Sequence, residues 1–283
     1  MAVARHDPGI EAALAALASQ VHPVFMLPPL AASWFGAALA SHLSPAVGLV
    51  HMAAMFCAVY TAHVKDGYVD FHVRGEDDDH PLTAGGCRLG LALATVGFAA
   101  CLVWLRFAIG PGAALVTLPA WFVGYLHAPQ LDMHPVGATA GYPVGIALSI
   151  LGGYYVQAGA FSTTVFGFAG VFLALLSGIK VIDDAKDATY DRSIDKRTVA
   201  VVLGRKRARR VAYGLVALGL AGVLAGAFAG VFPPSTGLAV VAFVPVAAAT
   251  RRLDARRATE VLMRGSYVFL GVLFLAVWFR PLA

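Results

Sequence analysis

The sequence predicts an all-α integral membrane protein, a bundle of nine transmembrane helices around a central cavity open toward the cytoplasmic side. Three observations predict it. Of the 283 residues, 59% are hydrophobic and only 13% charged, where a soluble chain carries about 25% charged residues. Nine apolar stretches occur, each near or a little below the roughly 20 residues that span a bilayer. Lys and Arg fall almost wholly in alternate connections between those stretches.

The stretches cover 22–41, 45–63, 89–108, 112–128, 137–157, 162–182, 211–230, 236–250 and 261–280. The eighth is short. Before the first, residues 1–20 hold Arg5, Asp7 and Glu11 and lack a signal-peptide layout. Ile10 to Ala18 reads as a short interfacial helix feeding the first span. The N-terminus and the loops after spans 2, 4, 6 and 8 share one side, and every Lys and Arg except Arg106 and Arg280 falls on or beside it. The positive-inside rule makes that side cytoplasmic, with the N-terminus in the cytoplasm and the C-terminus outside. The sequence pI near 9.2 follows from these loops and does not call for nucleic acid, because no soluble basic module is present. The whole of 1–283 reads as one polytopic domain.

Two acidic motifs stand at the ends of spans 2 and 6. Motif two (180–204) carries Asp183, Asp187 and Asp191 in KVIDDAKDATYD. Motif one (63–85) carries Asp66 and Asp70 in HVKDGYVDFHVRGEDDDHPLTAG. A helix turns once in about 3.6 residues, so acids four apart share a face. Rows of carboxylate oxygens hold hard divalent cations, and such cations hold phosphate oxygens. Ionisable groups at the end of an apolar run are costly and usually functional. In a membrane protein the rows point to chemistry on a lipid diphosphate, with Mg²⁺ held by Asp66, Asp70, Asp183, Asp187 and Asp191. Asp184 and Asp195 fall off the row and read as surface or supporting groups. The run Glu76 to Asp79 fits a solvated loop as well as ligation. Segments 45–108 and 165–230 share a layout of apolar helix, acids, basic loop and apolar helix, a weak internal repeat.

These motifs resemble those of the UbiA-type prenyltransferase superfamily. Its first pattern, Asn-Asp-Tyr-x-Asp followed by Arg-Pro-Leu-x-x-Gly, is similar to Asp66-Gly67-Tyr68-Val69-Asp70 and His80-Pro81-Leu82-Thr83-Ala84-Gly85. Its second, Asp-x-x-x-Asp then Gly-Lys-x-Thr and Leu-Gly, is similar to Asp183 to Asp191, Asp195-Lys196-Arg197-Thr198 and Leu203-Gly204. Tyr125 to Leu131 resembles a third family loop. The chain departs from the pattern at four places: Asp66 replaces Asn, Arg74 replaces a third acid, His80 replaces Arg, and Asp132-Met133 replaces a basic residue.

The resemblance implies Mg²⁺-dependent transfer of a prenyl group from its diphosphate to a membrane-accessible acceptor, an aromatic or quinone precursor or a lipid. It makes Asp70 and Asp187 the catalytic candidates. Lys65, Tyr68, Arg74, His127, Lys196 and Arg197 are the substrate-binding candidates, with Lys196 and Arg197 foremost for phosphate. His127 and Asp132 both lie where a base would act on the acceptor. Phe56, Tyr60, Tyr142, Tyr154, Tyr155 and Phe172 are open to two readings, a lining for the prenyl channel or plain packing. Acceptor, prenyl chain length and oligomeric state are not readable.

Two alternatives come from the residues. CDP-alcohol phosphotransferases also place Asp rows on membrane helices, but close together in sequence. A divalent-cation transporter places acids at mid-membrane on broken helices, whereas these acids sit at helix ends. His63, His72, His80, His127 and His134 lie near the cytoplasmic face without zinc-ligand spacing. Cys57, Cys87 and Cys101 are isolated in sequence.

Overall fold

The computed structural model describes residues 2–282; Met1 and Ala283, the ends of the expected domain, lie outside the described residues. A helix underlies each apolar stretch. After the short α1 (Ile10–Ala18), they are α2 (Pro23–Ala38), α3 (Pro45–Gly67), α4 (Ala84–Ala108), α5 (Pro111–Leu126), α6 (Pro135–Ala158) and α7 (Thr163–Ser193). A five-residue α8 (Val199–Leu203) precedes α9 (Arg205–Phe228), α10 (Gly237–Thr250) and α11 (Ala255–Phe279). Six helices (α3, α4, α6, α7, α9 and α11) are long and apolar enough to cross a membrane. The α1–α2 pair, bent by 65°, makes a seventh if taken as one span. The helices α5 and α10, with 16 and 14 residues, are shorter.

Local chemistry sets the boundaries. Pro stands in the first turn of α2, α3, α5 and α6, where its missing N–H costs nothing. Thr83, Ser162 and Asp254 accept backbone N–H bonds at the starts of α4, α7 and α11, which satisfies orphan donors. Small residues bring helices close. A Cβ on Gly36 of α2 would lie 2.1 Å from the Ile150 carbonyl oxygen of α6, the close approach that membrane helices use in place of a hydrophobic driving force.

The core runs along α7, which packs on α6, α9 and α11. Within it Phe35 meets Phe168 edge-to-face and Phe168 stacks on Phe232, with centroid separations of 5.1 and 4.0 Å. Large apolar side chains such as Leu93, Val96, Phe107, Leu115, Leu218 and Phe228 face outward. A water-soluble surface does not carry so many. The hairpins α3–α4 and α7–α9 are each closely packed pairs, in keeping with the repeated layout read from the sequence.

Two differences from the sequence reading shape the site. The second acid row lies within its helix and not just beyond it: α7 runs unbroken for 31 residues to Ser193, so Asp183, Asp187 and Asp191 stand on its last turns. The first motif is not on a regular helix. After Gly67 the chain widens into a π-helical turn, Tyr68–Arg74. The wider turn changes the angular step between Asp66 and Asp70.

Candidate active site

A cavity of about 650 Å³ opens among α2, α3, α5, α6, α7 and α11. Its wall is mainly apolar, with Val24, Phe25, Pro29, Met55, Val59 and Ile179 among the lining residues. At one end stand Asp66 from α3, and Lys180, Asp183 and Lys186 from α7. The fold thus brings one acid of each motif to a single space. Among the described residues no ion pair within 4.0 Å or hydrogen bond engages the Asp66 carboxylate, although Lys196, Lys180 and Arg74 are close enough to act on it through space. An unpaired carboxylate on an apolar wall asks for a cation. Asp183 supplies a second hard oxygen donor, so this pair fits a divalent cation of the Mg²⁺ class.

The other three acids are placed differently. Asp70 accepts from Arg74 Nη1 at 3.1 Å. Asp191 is buried; it accepts from Thr198 Oγ1 at 3.3 Å and lies 3.8 Å from Lys196 Nζ. Asp187 has a side chain 57% exposed and lines a neighbouring cleft with Arg205, Lys206, Arg209 and Arg256. Lys186 borders both spaces. The spacing argument put Asp183, Asp187 and Asp191 in one direction. In the fold the α-helix turns about 40° with each step of four, and only Asp183 reaches the cavity wall.

Asp184, read as surface or supporting, agrees in the structure with the second reading. It is 5% exposed, and Lys180 Nζ sits 2.5 Å from Asp184 and 3.4 Å from Asp183. Lys186 holds the other oxygen of Asp183 at 2.6 Å. The cavity end therefore carries two cations of its own.

The remaining candidates divide. His127 lines the cavity. Lys65 Nζ lies 4.1 Å above the Tyr125 ring centroid, a cation–π contact away from the cavity wall. Tyr68 packs beside Val64 and Leu82. Arg197 is exposed, its backbone N–H donating to Met133. Asp132 is buried and gripped by Arg74, so of the two base candidates only His127 faces the cavity. Of the six aromatic residues, Tyr142 alone lines it among the described residues. Phe172 belongs to the core, and Tyr60 donates to Leu17 at 2.8 Å.

Sequence reasoning missed one wall. The helix α11 contributes Glu260, Met263, Arg264 and Tyr267. Their spacing at i, i+3, i+4 and i+7 marks one helix face. Arg264 inside the ninth apolar stretch, with Glu260 at its edge, is the available signal.

The sequence profile described as the UbiA prenyltransferase family matches residues 25–279. The chain belongs to that family. Members are prenyltransferases, and this UbiA chain, with its long apolar helices, is an integral membrane protein. No curated protein sequence matches it. Among solved structures it is similar to digeranylgeranylglyceryl phosphate synthase, with a TM-score of 0.72 at 12% identity over 95% of this chain and 98% of that one. A UbiA homologue from Aeropyrum pernix K1 gives 0.71 at 16% identity, covering 90% and 98%. A UbiA homologue from Archaeoglobus fulgidus bound to DMAPP and Mg²⁺ gives 0.62 at 18% identity, covering 94% and 98%. At these identities the likeness is one of fold.

Proposed function

We propose that this chain catalyses Mg²⁺-dependent transfer of a prenyl group from a polyprenyl diphosphate to a membrane-accessible acceptor, an aromatic or quinone precursor or a lipid, releasing diphosphate. The observation that carries this reading is Asp66 and Asp183 on one apolar cavity, with Lys180 and Lys186 beside them. The Archaeoglobus homologue described as bound to DMAPP and Mg²⁺ supports it.

Asp66 and Asp183 hold the metal in this reading; Asp70, Asp187 and Asp191 lie off the cavity wall, and the reading requires their side chains to turn toward it to complete the oxygen set around bound diphosphate. The metal supplies charge neutralisation to the leaving diphosphate. Lys180 and Lys186 donate to phosphate oxygens from the cavity wall. Lys196 and Arg197 do so from the loop after α7, with Lys65, Tyr68 and Arg74 framing the first motif. The apolar wall takes the prenyl tail and keeps water from the allylic cation. His127 takes the proton that the acceptor loses when the new bond forms.

The topology we propose is one polytopic domain of nine spans, with the N-terminus and both acid motifs cytoplasmic. It rests on the partition of Lys and Arg and on an apolar helix at each of the nine stretches.

The test is an assay of purified protein in lipid nanodiscs with host lipid extract and prenyl diphosphates of several chain lengths. Diphosphate release together with a new prenylated lipid by mass spectrometry is expected with Mg²⁺. Release unchanged in excess chelator, or no product at any chain length, overturns the reading.

A further inference from the structure

Three side chains that the proposed reaction does not use meet beside the start of α4. His72 lies on the π-helical turn, His80 in the following loop, and Cys87 in the first turn of α4. Each offers one donor atom, and the three atoms lie within 4.8 Å of one another. His80 and Cys87 are buried; His72 is half-buried. Fourteen residues of chain lie between the outer two, so no short ligand motif announces the cluster.

The backbone already fixes the arrangement. His72 Nε2 is 3.2 Å from the Leu82 carbonyl oxygen, and His80 Nδ1 is 3.1 Å from the same oxygen. The Thr83 cap on Gly86 N sets the first turn of α4, and Thr83 N donates to Val3 at 2.9 Å. A second observation points to a ligand. His80 Nε2 is buried without a hydrogen-bond partner among the described residues. One nitrogen of a neutral imidazole is a donor and the other an acceptor, so either tautomer leaves a buried polar atom unmet, which native folds rarely tolerate. Imidazoles that ligate metals commonly give their other N–H to a backbone carbonyl. The Leu82 carbonyl is placed to receive both rings.

We propose that His72, His80 and Cys87 form a site for a borderline transition-metal ion, with Zn²⁺ the best fit. Two imidazoles and a thiolate suit zinc, whereas Mg²⁺ takes oxygen donors. The site differs from the acid rows in chemistry, although His72 and His80 lie in the same segment as the first motif, and it does not depend on the prenyl-transfer reading. Zinc bonds of about 2.0–2.3 Å draw tetrahedral donors to roughly 3.5 Å apart, so small side-chain rotations close the cluster. Binding converts the Cys87 thiol to thiolate and releases its proton to solvent. Three protein donors leave the fourth position to water.

The role that follows is structural. His72 stands two residues after Asp70, and the His80 ring rests on Gly67, where a Cβ would lie 2.5 Å from Nε2. An ion joining them to α4 pins the turn that carries the first acid motif.

The test uses full-length protein with a histidine-free affinity tag, grown with Zn²⁺ and dialysed before elemental analysis. About one zinc per chain is expected, unmoved by a thousandfold excess of Mg²⁺. Cys87→Ser and His80→Gln are each expected to retain at least tenfold less. Replacement by Co²⁺ is expected to give the intense visible bands of a tetrahedral ion, with a thiolate charge-transfer band absent from Cys87→Ser. Wild-type protein that holds no zinc and shows no thiolate band with excess Co²⁺ overturns the proposal, as does displacement of zinc by Mg²⁺. The wild-type measurements decide even if a variant fails to fold.

Discussion

Arg74 grips both carboxylate oxygens of Asp132, 58 residues further along the chain, at 2.8 and 3.2 Å. The same guanidinium reaches Asp70 at 3.1 Å. Lys196 then lies 3.7 Å from Asp132 and 3.8 Å from Asp191. A continuous chain of charges therefore joins the first acid motif, the loop after α5 and the second acid motif. Both members of the central pair depart from the UbiA pattern. Arg74 stands where an acid is usual, and Asp132 where a base is usual, so the two departures compensate each other.

That compensation predicts a charge-swap rescue. The pair is largely buried, with side chains 12% and 8% exposed. Breaking a buried pair from one side strands the other charge, at a cost of about 3–5 kcal/mol. Arg74→Asp and Asp132→Arg are each expected to lower the melting temperature and turnover sharply. The double swap is expected to recover only part of both losses, with a coupling of about 1–3 kcal/mol, because it sets a carboxylate beside Asp70 and a guanidinium beside Lys196. Losses that simply add would mean that the pair does not join the motifs.

The acids are expected to separate by stability. Asp66 has no partner and Asp187 is mostly exposed, so Asp66→Ala and Asp187→Ala should abolish turnover yet scarcely change thermal stability. Asp70→Ala should abolish turnover and also lower stability, because it strips Arg74 of one of its two carboxylates. Activity and melting curves on the three variants test this. An Asp66→Ala protein that keeps wild-type turnover removes Asp66 from the metal site.

Lys180 is expected to be structural as well as phosphate-binding. It is the close partner of buried Asp184, and Lys180→Met leaves that carboxylate with no cation. A loss of about 3–5 kcal/mol is expected, read as a large fall in melting temperature. The double variant Lys180→Met with Asp184→Leu should regain stability but not turnover. Full activity in the double variant would show that the Lys180 ammonium does not touch substrate.

Topology is open to direct measurement. A reporter active only in the cytoplasm should work when inserted after Arg252, beyond the eighth apolar stretch, and fail after Pro233, beyond the seventh. The same result at both sites breaks the nine-span arrangement.

The positions of the helices were legible because apolar runs, prolines and capping residues are local signals. Motif pairing was legible too: Asp66 and Asp183 do reach one cavity. What failed was direction. Regular spacing presumes a regular helix, and the π-helical turn at Tyr68–Arg74 breaks that presumption. Long-range partners were also hidden. Asp132 reads as a possible base because nothing local shows that Arg74 holds it, and Asp184 reads as either surface or supporting because its place off the row says nothing of its contact with Lys180. The wall from α11 was passed over because Glu260 and Arg264 sit among hydrophobic neighbours and carry no motif.

The last prediction concerns how metal and diphosphate bind. Asp66 and Asp183 line one space, with Asp70, Asp187 and Asp191 on the same two motifs. Without added cations the acids oppose one another and an anionic substrate. Like charges about 4 Å apart repel by roughly 4 kcal/mol at an effective dielectric near 20. The built-in cations relieve only part of this, since among the described residues Asp66 feels Lys196, Lys180 and Arg74 at a distance but forms no direct ion pair. Mg²⁺ should therefore bind weakly alone, because the cavity offers few fixed oxygens and the diphosphate supplies the rest of its shell. Prenyl diphosphate should also bind weakly alone, because Lys180 and Lys186 are already held by Asp183 and Asp184. Added together, Mg²⁺ and a non-hydrolysable prenyl diphosphate are expected to raise the melting temperature by more than the sum of their separate effects. Linkage requires the coupling to be reciprocal, so each should tighten the other's binding by the same factor in titration calorimetry. The Asp66→Ala variant is expected to show additive shifts. Additive shifts in the wild type, or tight diphosphate binding in excess chelator, would mean that Lys180 and Lys186 hold the substrate unaided and that the acids serve only to position them.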